Sequence, residues 1–183
     1  MLSLYRINLL TLWFSIVLCC LSGCGYKIIG KPDYLEKYST IYISPWINYT
    51  SEPQIGELIS YYLRLKISEG NLLIPVFDEK KADLILKGRV KLISFSPVTY
   101  ETFLKTKERK INFVGEYQLI EVSTGNVIFK SKISQDKIYT VQEEISETLD
   151  PGKKQALDLL AQDVADEIIH QLFLNSKSFE HTN

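Results

Sequence analysis

The sequence predicts an α+β domain in which two helices pack on one face of a mostly antiparallel four-stranded sheet, in the order β-α-β-β-β-α. Two segments carry apolar residues at helical spacing, and four others alternate apolar with polar residues as strands do. The 183 residues are 45% hydrophobic and 23% charged, which excludes a disordered or fibrous chain and favours one compact domain.

The first strand and the first helix come from the region that ends at Gly70. The stretch from Ser39 to Trp46 is rich in β-branched and aromatic residues, and Ile41 and Ile43 fall on one face of it. Cap-like polar residues follow, and Gly70 supplies a stop after a helical stripe. That stripe consists of Ile55, Leu58, Ile59, Tyr62 and Leu65.

Three further strands are predicted from alternation. The first has a mostly basic face opposite an apolar face made of Leu84, Leu86, Gly88, Val90 and Leu92, and Gly88 indicates a bulge. A hairpin follows, with its turn between Val122 and Asn126. Its two strands carry the apolar residues Ile111, Phe113, Tyr117 and Leu119, then Val127, Phe129 and Ile133.

The last helix has the clearest signature. Asp150 places a capping carboxylate before Pro151, which suits the first helical position. An apolar stripe follows at Leu157, Leu160, Ala161, Val164, Ile168 and Leu172. Because both helices are apolar on one side only, packing them on the same sheet face closes a core and leaves the other sheet face available.

The N-terminus is typical of a secretory signal peptide. Arg6 is the one charged residue before a weakly polar to apolar run of 13 residues from Leu9 to Leu21. A bilayer-spanning helix needs about 20 apolar residues, so this run is too short for a permanent anchor. It ends in Leu21-Ser22-Gly23-Cys24, which resembles the bacterial lipobox. We therefore expect cleavage before Cys24 and acylation of its thiol.

Acylation of Cys24 would fix the chemistry and the location of the mature chain. Cys19 and Cys20 leave with the signal, so neither a free thiol nor a disulfide is expected afterwards. Each buried methylene contributes about 0.8 kcal/mol, and two or more acyl chains anchor the chain stably. Gly25 replaces the aspartate associated with inner-membrane retention, which by resemblance places the anchor in the outer membrane, on its periplasmic side.

The expected parts are a signal peptide (1–23), a lipidated N-terminus with a short tether (24–38), a domain (39–174) and a flexible tail (175–183).

Charge is segregated along the chain although the net charge is only -1. Residues 84–110 hold seven bases against two acids, whereas residues 142–167 hold eight acids against two bases. A basic face of this kind attracts anions while the whole chain stays near neutrality. The candidate anion-binding group is Lys87, Arg89, Lys91, Lys105, Lys107, Arg109 and Lys110, on a basic strand face that leads into a loop from Ser96 to Lys110. The alternative is a solvated sheet face that its lysines keep soluble.

Catalytic chemistry is not indicated. His170 lies about 200° around the helix from Ile168, on the side away from the apolar stripe, and His181 falls in the tail. No nucleophile elbow, phosphate-binding glycine loop or metal-ligand spacing is present in the sequence. We expect no enzymatic activity, no metal, no cofactor and no nucleic-acid partner.

Several short motifs together resemble the LptE family of lipopolysaccharide-assembly lipoproteins. The lipobox runs straight into Cys24-Gly25-Tyr26, and the order and spacing of the later motifs carry the likeness over nearly all of the mature chain. These motifs are Pro45-Trp46-Ile47-Asn48, Ala82-Asp83-Leu84-Ile85-Leu86-Lys87-Gly88, Thr124-Gly125 and Leu160-Ala161-Gln162-Asp163-Val164-Ala165.

The resemblance implies a non-catalytic outer-membrane lipoprotein that plugs and supports a large β-barrel partner, LptD, and helps to place lipopolysaccharide in the outer leaflet. It does not identify lipopolysaccharide contacts, so the basic group above is chosen on physical grounds alone. Lipid A phosphates are anionic, and lysine and arginine bind phosphate oxygens through charge-assisted hydrogen bonds.

A second family resemblance stays open. The strand exit Ser44-Pro45-Trp46-Ile47-Asn48 also resembles the opening of periplasmic lipoproteins related to curli secretion and to activators of peptidoglycan synthases. Such a binding module grips an inner-membrane enzyme across the periplasm, which requires a long tether. Here about 15 residues separate Cys24 from Ser39, or at most roughly 50 Å of extended chain, which favours a partner in the same membrane.

Overall fold

The structure is a computed structural model that describes residues 31–100, 106–141 and 150–173, with the side chains of residues 99, 100, 106 and 107 excepted. Short 3-10 turns lie at Asp33–Leu35 and Glu79–Lys81. The helices are α1 (Ile55–Gly70) and α2 (Pro151–Phe173). The strands are β1 (Thr40–Ile43), β2 (Ile47–Asn48), β3 (Ile74–Val76), β4 (Leu84–Tyr100), β5 (Thr106–Glu121) and β6 (Val127–Thr140).

These strands form one mixed sheet in the order β3-β1-β4-β5-β6, and β2 pairs with β4 beyond the end of β1. β1 is parallel to both β3 and β4, and β2 is parallel to β4. The pairs β4–β5 and β5–β6 are antiparallel. The α+β class fits, but the predicted four-stranded, mostly antiparallel sheet is wrong because the described sheet is mixed and has six strands.

The two missed strands are too short to show alternation. β2 has two residues, and β3 has three, of which Pro75 has no backbone N–H to donate. Both pair in parallel, an arrangement that needs a crossover such as α1 to return the chain to the same sheet end. Strands this short form only once a neighbouring strand offers them hydrogen bonds, which is β4 for β2 and β1 for β3.

The core lies between the two helices and one face of the sheet. It contains Ile41 and Ile43 of β1, as predicted, the predicted apolar face of β5 and that of β4 as far as Val90. The α2 stripe is confirmed: Leu160, Ala161, Val164, Ile168 and Leu172 are all buried. In α1 the buried face includes Leu63 and Ile67, whereas the predicted stripe member Leu65 is 38% exposed.

In the middle of β4 the alternation of core-facing and outward-facing side chains reverses, at a different place from the one predicted. The ladder to β5 shifts register between Val90 and Leu92, so the bulge lies at Lys91 rather than at Gly88. Beyond it the alternation is reversed: Ile93 is buried and Leu92 is 48% exposed. The prediction that Leu92 faces the core is therefore wrong. Val127, which precedes a similar shift on β6, is also 51% exposed rather than buried.

Gly88 instead makes room for an aromatic ring. A Cβ at this position would lie 2.1 Å from Cε2 of Trp46, whose side chain is buried on the helix side of the sheet. Gly115 on β5 is the next neighbour, since a Cβ there would lie 3.2 Å from Cζ3 of the same indole. The two glycines thus form the floor on which Trp46 packs, between β2 and the start of α1.

The start of α2 and the end of α1 follow ordinary capping chemistry, whereas Gln54 before α1 makes no side-chain cap, contrary to the cap-like residues predicted there. Asp150 accepts a hydrogen bond from the Gly152 N–H at 2.9 Å, which confirms the predicted cap of α2. At the end of α1 the left-handed residue is Asn71, with φ 52°, one position after the predicted stop at Gly70. Asparagine tolerates this conformation better than most residues do, so it ends the helix in place of glycine.

Both helices run in the same direction and finish at one end of the sheet. Tyr62 of α1 donates to Asp158 of α2 at 2.9 Å, and one turn later Lys66 pairs with Asp166 at 2.7 Å. The end of α2 is reached by the Tyr34 hydroxyl, which donates to the Leu172 carbonyl at 2.6 Å. We call this sheet end, which contains the start of β4 and the end of β5, the tether end.

Replacing Gly88 with alanine is expected to destabilise the domain, because the new methyl would overlap the Trp46 ring. Overpacking of this kind costs about 1–3 kcal/mol, which urea unfolding can measure. Gly70→Ala is the control: no atom lies within 4 Å of a Cβ there, so stability should be unchanged or slightly increased. Equal stability of Gly88→Ala and the parent chain would contradict the packing described here.

Candidate functional site: the open sheet face

The sheet face opposite the helices, here called the open face, carries a concentration of bases. Cross-strand pairing places Lys87, Gln118 and Lys130 in one row and Arg89, Glu116 and Lys132 in the next. Lys91, at the bulge, reaches the same face. We call the five bases together the basic stripe: Lys87, Arg89, Lys91, Lys130 and Lys132.

Part of the basic stripe is already neutralised by carboxylates. Glu116 lies 3.1 Å from Nε of Arg89 and 3.4 Å from Nζ of Lys91, so one acid serves two cations. Lys87 lies 3.8 Å from Glu79. Among the residues that the structure describes, Lys130 and Lys132 form no ion pair. The stripe therefore keeps an excess of positive charge, concentrated on β6.

An apolar band lies next to the basic stripe, on its tether-end side. Ile85, Ile120 and Val127 occupy adjacent positions across β4, β5 and β6. The band continues through Tyr42 of β1 to Val76 of β3. Ile85 is only 5% exposed although it points away from the helices, so its neighbours cover it. The open face thus offers apolar contact beside cationic groups, as an anionic amphiphile requires.

The structure separates the seven bases predicted as one group. Lys87, Arg89 and Lys91 lie together on the open face, and Lys110 lies farther along it, 3.0 Å from Asp136. Arg109 shares the helix-side parity of Ile111 and Phe113, because neighbouring strand residues point to opposite faces. The backbone of Lys107 belongs to β5, but its side chain is not among those that the structure describes. Lys105 falls outside the described residues.

The predicted basic loop from Ser96 to Lys110 is mostly strand. β4 continues to Tyr100 and β5 begins at Thr106, so the two arms form an extended antiparallel ladder. Two functional candidates were missed by the sequence reasoning, Lys130 and Lys132 on β6. The alternation of these lysines with the buried Phe129 and Ile133 was the available signal, but only strand pairing places them on the same face as the β4 bases, on the far side of β5.

The segment 31–40, here called the anchor segment, is folded onto the tether end. Leu35 is fully buried and Tyr38 is 5% exposed, so residues assigned to the tether contribute to the core. Glu121, at the end of β5, accepts hydrogen bonds from Lys37 Nζ at 2.9 Å and from the Tyr38 hydroxyl at 2.8 Å. Thr124 donates to the other oxygen at 2.6 Å. These three donors lower the pKa of Glu121 to about 2.

A second carboxylate holds the end of the anchor segment. Asp83 Oδ2 accepts the backbone N–H groups of Ser39 at 2.8 Å and Thr40 at 2.9 Å, and these bonds lower the pKa of Asp83. The Thr40 hydroxyl accepts from the Asp83 N–H at 2.9 Å in return. At the start of the segment, Lys31 Nζ donates to the Tyr38 carbonyl. The chain therefore leaves the domain at a fixed place.

Aromatic rings support the anchor segment from the helix side. Tyr34 stacks on Phe129 with a centroid separation of 6.4 Å, and Phe129 stacks on Tyr117 at 5.9 Å. The Tyr117 hydroxyl donates to Gln171 of α2 at 2.6 Å. Burial raises the pKa of both tyrosines above the ordinary range, so neither ionises at physiological pH.

Among the described residues no group of three or more His, Cys, Asp or Glu side chains is arranged to hold a metal ion. His170 is exposed on α2, and His181 falls outside the described residues. Neither α1 nor α2 is both long and apolar enough to cross a membrane.

Comparison with known proteins identifies a family and a shared fold. A model of the LptE family, described as lipopolysaccharide-assembly, matches residues 38–173. No curated protein sequence matches the chain. Solved structures with the same fold include uncharacterized lipoprotein B from Nitrosomonas europaea, with 13% identity, a TM-score of 0.54 and coverage of 85% of this chain and 94% of that one.

Two further structures are similar at the level of the fold. Protein XCC0632 from Xanthomonas campestris has 8% identity and a TM-score of 0.52, over 85% of this chain and 96% of that one. The PelC dodecamer from Paraburkholderia phytofirmans has 16% identity and a TM-score of 0.50, over 79% of this chain and 93% of that one.

Glu121→Gln is expected to lower the melting temperature in a pH-dependent way. Since the folded pKa of about 2 lies below the ordinary 4.5, ionised Glu121 stabilises the fold above pH 4.5, and this contribution is lost as the pH falls through 2. The melting temperatures of parent and variant should therefore differ most near neutrality and converge at the acid limit. Glu36→Gln, an exposed acid within the anchor segment that Glu121 holds, is the control. A difference that is constant with pH would contradict this role.

Proposed function

The chain belongs to the LptE family of lipopolysaccharide-assembly proteins, and we propose that it binds and plugs a large outer-membrane β-barrel of the LptD type and assists insertion of lipopolysaccharide into the outer leaflet. The family is one of non-catalytic outer-membrane lipoproteins. The observation that carries the proposal is the extent of the family match, residues 38–173, which spans nearly the whole folded region from Lys31 to Phe173.

The length of the tether supports a partner in the same membrane. We propose that Cys24 is the acylated first residue, as the lipobox indicates. Since the anchor segment is folded from Lys31 onward, only residues 25–30 separate the folded domain from the anchor. Seven Cα–Cα steps span at most about 25 Å, so the domain stays close to the leaflet that holds its acyl chains.

The basic stripe supports direct contact with lipopolysaccharide. Lipid A phosphates carry negative charge on an amphiphilic molecule, and the open face presents cations beside an apolar band. Lys130 and Lys132 are the strongest candidates because no described carboxylate pairs with them. Lys87, Arg89 and Lys91 already have acidic neighbours, which a phosphate would have to replace. Lys110 is similarly paired, and Arg109 points to the other sheet face.

The rival function, a module that activates a peptidoglycan synthase or serves curli-type secretion, is disfavoured by the same tether. A domain held within about 25 Å of the outer membrane cannot approach an enzyme embedded in the inner membrane unless that enzyme itself spans the periplasm. The family match also supports the lipopolysaccharide-assembly proposal over this rival.

Purification from detergent-solubilised outer membrane should recover the acylated protein together with a large β-barrel. Mass spectrometry of the same sample should find an acylated Cys24 as the first residue. Co-purification of a penicillin-binding protein in place of the barrel would support the rival. An uncut precursor, or an unmodified Cys24 thiol, would remove the basis for the outer-membrane assignment.

Replacement of Lys130 and Lys132 with serine should weaken binding of lipid A aggregates. Exposed ion pairs typically contribute about 0.2–1 kcal/mol each, so the loss of two should raise the apparent Kd by roughly 2- to 30-fold. The melting temperature should not fall, because both side chains are exposed. Lys80→Ser with Lys154→Ser removes the same charge from exposed positions outside the stripe and is the matched control. Equal weakening by both double variants would indicate a general charge effect and contradict a site on the stripe.

A further inference from the structure

We propose that residues Lys91–Ser96 of β4, here called the β4 edge, bind an extended segment of the barrel partner as an added β-strand. This inference rests on the proposed function and deepens it, since it names a part of the domain that the surrounding barrel holds through backbone hydrogen bonds. The occupant is a polypeptide because a strand edge presents alternating N–H and C=O groups, which another extended backbone complements.

The β4 edge is unpaired on the side that β1 and β2 occupy nearer to the tether end. β1 pairs with the start of β4, and β2 pairs with it at Arg89 and Val90. Among the described residues, no strand pairs with β4 on this side after Val90. The Asn48 side chain turns the chain away, since it accepts from the Thr50 N–H at 3.0 Å and donates to the Glu52 carbonyl at 2.7 Å. An added strand would continue the line that β2 leaves.

Pro97 indicates which backbone groups of the β4 edge point outward. A proline fits within a sheet where its missing N–H points away from the neighbouring strand. Ile93 and Phe95 lie two and four residues before Pro97 in an unbroken register to β5, so their N–H and C=O groups also point away from β5. Pro97 cannot donate to an added strand and therefore ends the edge. The six residues of the edge extend roughly 20 Å, the length of an ordinary strand.

The β4 edge lacks the protection that the two outer strands of the described sheet carry. β3 is three residues long and contains Pro75. β6 is long, but it carries the charged residues Lys130, Lys132, Asp136 and Lys137. Prolines and charges of this kind oppose strand addition at a sheet edge. The stretch Leu92–Ser96 contains neither, and Leu92 is 48% exposed, so this edge is the one suited to an added strand.

The β4 edge is held in place from the helix side. Lys153, near the start of α2, lies 2.6 Å from Glu52, and its Nζ lies 4.6 Å from the centroid of the Phe95 ring. The two charged side chains are mostly buried, with exposures of 13% and 15%. The loop before α1, the start of α2 and β4 are therefore joined here. An edge that is already fixed loses little conformational freedom when a strand is added, which favours binding.

Charge at the start of the β4 edge indicates the chemistry of the added segment. Lys91 shares the carboxylate of Glu116 with Arg89, so two cations face one acid. A carboxylate opposite Lys91 would balance the remaining charge, whereas the rest of the edge favours uncharged side chains. A second copy of this chain offers no such acid, because antiparallel pairing over residues 91–97 places Pro97 opposite Lys91. The complementary occupant is an uncharged extended segment of the barrel with an acidic residue at one end.

Photocrosslinking in the purified complex tests the strand pairing. Benzoylphenylalanine is placed at position 92, 94 or 96 of the acylated protein, which is purified with the barrel from detergent-solubilised outer membrane. Because side chains of paired strands lie opposite one another, the three adducts should fall on one barrel segment, about two residues apart. The same probe at position 138, on the same sheet face of β6, should not label that segment. Adducts scattered over several barrel segments, on lipopolysaccharide or on a second copy of the chain would overturn the proposal.

A matched pair of double variants tests the contribution of the β4 edge to binding. Leu92→Lys with Ser94→Lys places charge on the edge and should reduce the recovered barrel by about fivefold or more. Ser134→Lys with Ile138→Lys changes a serine and an apolar residue of similar exposure, 54% against 48%, on the same face of β6 and should leave recovery unchanged. Circular dichroism of the purified variants checks that both are folded. Equal recovery with the two variants, whether high or low, would overturn the proposal.

Recovery of the barrel with the parent chain separates the two proposals. If the parent chain recovers the barrel but the three adducts do not follow one segment, only the added strand is excluded and the proposed function stands. If the parent chain recovers no barrel, the proposed function is excluded together with the inference that rests on it.

Discussion

β4 is the constraint on which the rest of the structure depends, because it is the only described strand with partners of both kinds. β1 and β2 pair with it in parallel along one edge, and β5 pairs with it in antiparallel fashion along the other. Its alternation decides which residues enter the core and which form the basic stripe. Gly88 within it accepts the Trp46 ring, which ties the start of α1 to the sheet. An error of one residue in the register of β4 would move its outward bases Lys87 and Arg89 to the core side.

The bulge at Lys91 divides β4 into two halves whose outward faces carry different side chains. Before it, the helix-side face is filled by Leu84, Leu86 and the glycine under Trp46, while Lys87 and Arg89 point outward. After it, the outward face begins with Leu92. The open face is therefore cationic near the apolar band and less charged along the projecting arms. A strand without the bulge would have turned Leu92 toward the helices and Ile93 and Phe95 outward, since no base follows Lys91 on β4.

Two carboxylates connect this sheet to the anchor segment. Glu121 ends β5 and Asp83 immediately precedes β4, so both lie at the tether end, where they bind the anchor segment through side-chain and backbone donors. Hydrogen bonds to ionised carboxylates are stronger than neutral ones, so a few contacts hold a short polar segment without a large core. As a result the described start of the chain at Lys31, the open face and the projecting arms have a fixed geometry relative to one another.

The sequence by itself determined the lipobox, the helix cap at Asp150 and the apolar stripe of α2, because each depends on neighbours along the chain. Local alternation was also enough for the core faces of β1, of β5 and of the first half of β4. Only the tertiary structure decided the parallel pairing of β1, β2 and β3, the reversal at Lys91 and the place of the anchor segment. It also placed Lys130 and Lys132 on the same sheet face as Arg89, across β5, and moved Arg109 to the other face. Those features arise from hydrogen bonds and packing between residues far apart in the chain, which local periodicity does not encode.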